Sequence, residues 1–132
     1  MTVTESKSHY LEGLVSLYHL LITADGHIDD KEVKMGEVMK KSENIDDWEF
    51  KFYLSKIKEE RKEIVINNCI ESLSKCDQDL RVRCIAWLSL IANSDGFMDP
   101  EEWKLIYYIY NTALKLNLTD ILEMQKSLPR PI

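Results

Sequence analysis

Apolar residues recur at helical spacing along almost the whole chain. Leu11, Leu14, Val15, Tyr18, Leu21 and Ile22 return every three or four positions, which predicts one amphipathic helix from about Glu5 to Thr23. Asp25-Gly26 ends it, because glycine best tolerates the left-handed backbone that stops a helix. Asp29 is placed to cap a second helix running to about Lys41, and Glu32, three residues on, completes a capping-box-like pair. After a polar connector, Ser42 to Asn44, a third helix is expected from about Asp46, with Phe50, Tyr53, Leu54 and Ile57 inside. A fourth is expected over Glu60 to Lys75, with Ile66, Cys69, Ile70 and Leu73 inward. Asp77 caps a fifth, Gln78 to Asn93, which is apolar nearly all round and so belongs at the centre of a bundle. Asp99 and Pro100 start a sixth, whose inner stripe reads Trp103, Ile106, Tyr107, Tyr110, Ala113 and Leu114. Asn117 breaks that stripe, and a short helix from Thr119 ends before Pro129. No strand pattern competes. The expected fold is all-α: a single bundle of about seven helices over residues 1–132, with residues 1–8 flexible.

Two stretches repeat one another. Leu20 to Glu32 and Leu90 to Glu102 each run from an apolar helix end through Asp-Gly to an acidic helix start. Asp25, Gly26, Asp29 and Glu32 align with Asp95, Gly96, Asp99 and Glu102 at a constant offset of 70 residues. Shared polar residues in otherwise diverged copies point to one helix-loop-helix unit used twice, with acidic loops at 23–32 and 93–102.

Composition narrows the function. A formal net charge of −6 argues against nucleic acid as a partner, since phosphate affinity needs clustered Lys and Arg, and suits a cation or a basic partner. The densest basic stretch, Lys51 to Lys62, is interrupted by Glu59 and Glu60 and reads as a solvated helix face. The most apolar stretch, Cys84 to Ala92, is too short to span a bilayer, and Met1 to Ser8 has no apolar signal region, so a cytoplasmic location is expected. Cys69, Cys76 and Cys84 have neither zinc-ribbon nor redox spacing and read as buried reduced thiols. Trp87 and Trp103 read as packing residues, and His27 as a surface histidine. Nothing resembles a nucleophile with its base or a Gly-rich phosphate loop, so no enzyme activity is expected.

The acidic loops are the candidate chemistry. With each glycine at position 6 of an EF-hand loop, the acids fall at positions 5, 9 and 12. Position 1, however, is Leu21 or Ile91, and position 3 of the first copy is only Thr23, which disfavours a regular EF-hand. Packing of the two units about a pseudo-two-fold would instead bring their carboxylates together. A hard divalent cation (calcium, magnesium or manganese rather than zinc) would relieve the repulsion between them. Helix capping is the competing explanation: Gly at a stop, Asp at an N-cap and Glu three residues on need no metal. Asp25 and Asp95 fit that explanation least well. The alternatives are therefore a weak cation-binding module, a metal-free adaptor with a groove for a partner helix, and, least favoured, a carboxylate metallohydrolase.

The paired segments Ile22 to Glu32 and Ile91 to Glu102 resemble the duplicated A-D-G-x-h-x-x-x-E signatures of the TerB-like tellurite-resistance family. Its helical module also occurs in membrane-anchored DnaJ-type co-chaperones. Asp79-Leu80-Arg81, ahead of the central helix, is similar as well. The resemblance covers roughly Leu11 to Leu128, although Ser94 stands where the first signature has Ala24. It implies a compact helical domain with internal pseudo-symmetry and a role in bacterial stress or tellurite-resistance systems. It also implies a protein partner within a membrane-associated complex, and acidic metal ligands. Carried over by position, those ligands are Asp25, Asp29 and Glu32, then Asp95, Asp99 and Glu102.

Overall fold

A computed structural model describes residues 3–24, 26, 28–94 and 99–129, with side chains from Lys7 onward. Among them every regular element is helical: α1 (Val3–Ile22), α2 (Asp30–Ser42), α3 (Asp47–Ile57), α4 (Lys62–Ser74), α5 (Gln78–Ala92), α6 (Pro100–Tyr107), a π-helical segment (Tyr108–Ala113) and α7 (Leu118–Ser127). None of these helices is long and apolar enough to cross a membrane.

Short polar side chains set the boundaries. Asp77 starts α5 by accepting from Leu80 N–H at 3.0 Å, and Asn117 starts α7 by accepting from Thr119 N–H at 2.7 Å. The stripe break at Asn117 is thus a cap. At the start of α3, Asp46 N–H donates to Glu49 Oε1 at 3.2 Å. α2 ends where Asn44 turns left-handed (φ 56°), with Ile45 N–H reaching back to Lys40 O at 2.9 Å. This is a Schellman closure, with asparagine where glycine is commoner. α4 ends against Arg81, whose guanidinium donates to Leu73 O at 2.9 Å and Ser74 O at 2.6 Å. A cation on orphaned C-terminal carbonyls fixes the α4–α5 turn.

α1 and α5 form the centre. α1 lies against α4, α5 and α3, and α5 against α7, α1 and α2. α5 is as central as its apolar circumference requires, since Cys84, Ile85, Ala86, Trp87, Leu88 and Ile91 are fully buried. α1 and α2 approach closely because residue 36 is glycine: a Cβ there would collide with the Tyr18 hydroxyl and ring. All three cysteines are free and buried. Burial pushes the Cys69 thiol up to about 12, and it raises Cys76 and Cys84 as well, so none is a reactive thiolate.

Three expectations need correction. α4 starts at Lys62, and its buried positions are Val65, Cys69, Ser72 and Leu73, leaving Ile66 and Ile70 half-buried. The sixth helix does not continue as one α-helix: after Tyr107 it widens, and Leu114 N–H bonds Ile109 O at 2.9 Å, five residues back. Trp103 and Tyr107 are not core residues but 44% exposed, because the buried stripe is Glu102, Leu105, Ile106 and Ile109. An acid on the inner face concealed that register, since a hydrophobicity pattern assigns glutamate outward.

Candidate functional site

The two acidic loops leave and re-enter helices in the same way. At the first, Thr23 N–H donates to His19 O and Ala24 N–H to Leu21 O, both at 3.2 Å. At the second, Asn93 N–H donates to Ser89 O at 3.1 Å and Ser94 N–H to Ile91 O at 3.2 Å. These are the same bonds, shifted by 70 residues. Gly26 has φ +78°, with open space where a Cβ would be, so its requirement is conformational rather than steric.

The re-entry bonds match as well. Asp29 Oδ1 accepts from Lys31 N–H at 2.8 Å, and Asp99 Oδ1 from Glu101 N–H at 2.8 Å. Asp29 also accepts from Glu32 N–H at 3.4 Å, while Pro100 occupies the first turn of α6. Both aspartates are therefore N-caps, as their positions suggested. The two glutamates that follow are buried: Glu32 is 5% exposed and Glu102 4%. Glu32 lies near Tyr18, whose hydroxyl is pushed up to about 12, chiefly by burial and then by Glu37 and Glu32. Ser94 Oγ is enclosed and finds no hydrogen-bond partner among the described residues.

Of the six candidate ligands, Asp29, Glu32, Asp99 and Glu102 are thus located at the two helix starts. Asp25 and Asp95 lie outside the described residues, as does His27. Among the described residues no group of three His, Cys, Asp or Glu side chains is close enough to hold a metal ion. Leu21 and Ile91 are fully buried, so position 1 of an EF-hand has no oxygen donor in either copy.

The structure adds a second polar centre that the sequence reading missed. Glu43 Oε1 accepts from Tyr10 Oη at 2.8 Å, Arg83 Nε at 2.5 Å and Trp87 Nε1 at 2.6 Å. Three donors from α1 and α5 thereby converge on the residue that ends α2. Burial opposes the Arg83 charge, but the hydrogen bond and charge of Glu43 outweigh it and raise the pKa of Arg83. The carboxylate raises Tyr10 in turn, after burial, which is the larger cause. A signal for this cluster exists in the sequence: a buried tryptophan needs an acceptor for its N–H, and Arg83 interrupts an apolar helix.

The family model for tellurite resistance protein TerB matches residues 11–125, and the chain belongs to that family. Neither the curated proteins nor the solved structures include a match to it.

Proposed function

We propose that this TerB domain is a non-enzymatic binding module of a tellurite-resistance or stress-response system. In this reading it takes up a divalent cation weakly at its paired acidic loops and acts through a protein partner. The cytoplasm is the compartment that suits it, and a membrane-associated stress complex the setting for the partner. The observation that carries the reading is the burial of Glu32 and Glu102 at equivalent positions behind equivalent caps. Each loop thus sets a buried glutamate three residues after a capping aspartate, which supplies carboxylate oxygens of the kind a hard cation takes.

The candidate ligands are Asp25, Asp29 and Glu32 in the first loop and Asp95, Asp99 and Glu102 in the second. An all-oxygen set of this kind suits calcium, magnesium or manganese. Ser94 Oγ adds a neutral oxygen to the second loop, where the first has Ala24. A bound cation would supply the positive charge that lets a loop's acids approach one another.

A metal-free adaptor is the second reading, and the caps favour it: Asp29 Oδ1 and Asp99 Oδ1 are already committed to backbone N–H groups. Calorimetric titration of chelator-stripped protein with each of the three cations separates the two, with the Asp25→Asn, Asp95→Asn double variant alongside. Saturable binding that the variant loses supports the cation module. No binding, with an equally stable fold in chelator, leaves the loops as helix punctuation and supports the adaptor.

A further inference from the structure

The outer face of α3 carries aromatic residues in water. Trp48 is 69% exposed and Phe52, one turn on, 49% exposed, although neither is needed by the core. Successive helical residues are about 100° apart, so Trp48, Phe52 and Ser55 form one outward stripe. Asp47, Lys51 and Lys58 fall on one flank of that stripe, and Glu49 and Lys56 on the other. All of these are exposed except Glu49, which is half-buried. Charge is also segregated along the axis: Asp46, Asp47 and Glu49 come first, and Lys51, Lys56 and Lys58 follow.

We propose that α3 is a self-association surface that pairs antiparallel with α3 of a second copy about a two-fold axis. The axis passes between Phe52 and Tyr53. Residues equidistant from that midpoint face one another across it, and a face-to-face two-fold keeps each flank against its own counterpart. Asp47 is as far from the midpoint as Lys58, and both are on one flank. Glu49 is as far from it as Lys56, and both are on the other. One operation therefore matches acid with base on both flanks and lays the Trp48–Phe52 stripes on each other. Three intramolecular partners remain compatible with this: Glu49 Oε1 accepts from Asp46 N–H at 3.2 Å, and a carboxylate can take further donors. Asp47 meets Lys40 Nζ at 3.0 Å but keeps a carboxylate 83% exposed, and Lys56 Nζ sits over the Phe52 ring at 4.6 Å. Other occupants match less of the face. An anionic lipid surface would meet the lysines but be repelled by Asp46, Asp47 and Glu49 and by a net charge of −6. An acidic peptide would leave the acidic end unmatched. One face of an 11-residue helix buries well below the ~800 Å² per partner of a standard interface, so the dimer is weak and concentration-dependent.

Sedimentation velocity of the full chain, from micromolar to millimolar, tests this. The average mass should rise from that of a 15.5 kDa monomer toward twice that value. Trp48→Ala should weaken association at least about tenfold, as for an exposed aromatic that becomes an interface anchor. Asp47→Lys and Lys58→Glu should each dimerise less than the parent. An equimolar mixture of those two should recover dimer, because every facing pair is then opposite in sign; that recovery also shows that both variants are folded. A chain that stays monomeric throughout overturns the proposal, as do charge variants that associate as well as the parent. Monomers that bind anionic phosphatidylserine vesicles through Trp48 without pairing also overturn it, and assign the face to lipid.

Discussion

The α1–α2 and α5–α6 units begin alike and end differently. Around the loops they share the same helix-stop bonds and the same aspartate caps, each followed by a buried glutamate. Beyond the first turn they part. α2 runs for 13 residues and delivers Glu43 to three donors, whereas α6 runs for 8 and passes into a π-helical segment whose position equivalent to Glu43 is Ala113. Tyr18 and Gly36 interlock in the first unit, and their equivalents in the second are the fully buried Leu88 and Ile106. The two units share their local loop bonds and caps but differ in how each helix packs. Equivalent substitutions in the two units should therefore agree at the loops and disagree further on.

The largest disagreement is expected at Glu43. Glu43→Ala strands the donors of Tyr10, Arg83 and Trp87 and should lower stability by about 3 kcal/mol in urea unfolding. A loss below about 1 kcal/mol for Glu43→Ala would mean that the cluster is incidental to the packing of α2 on α5.

A smaller effect is expected at Gly36. Alanine in the middle of a helix normally stabilises by up to about 1 kcal/mol, but here its Cβ meets a tyrosine ring held in the core. Gly36→Ala should instead destabilise by about 1–3 kcal/mol. The Tyr18→Leu, Gly36→Ala double variant sharpens the contrast by importing the smaller side chain of the second unit at position 18. Recovery of most of the loss would show that the Tyr18–Gly36 pair alone sets this difference.

The smallest effects, and the ones that should match, are at the caps. Asp29→Ala and Asp99→Ala should each cost about 1 kcal/mol in thermal or urea unfolding. Asp29 is expected to cost slightly more, because it serves two N–H groups and α6 has Pro100 to hold its first turn. Losses differing by more than about 1 kcal/mol would mean that the loops are not equivalent even locally.

By itself the sequence determined what depends on near neighbours. Helix periodicity, aspartate caps, a glycine stop and an α5 apolar nearly all round are fixed by residues within a turn or two of one another, and each is present in the fold. The same short-range logic placed Asp29 and Asp99 as caps and supplied the family's signatures. Tertiary structure decided whatever needed a partner distant in the chain. Glu32 and Glu102 face inward although their chemistry reads outward, and that displaced Trp103 and Tyr107 from the core to the surface. Glu43 meets Arg83 and Trp87 across 40 and 44 residues, a relation no local pattern encodes. Burial of a polar group is settled by the donors and acceptors that packing brings to it, and only the assembled bundle specifies those.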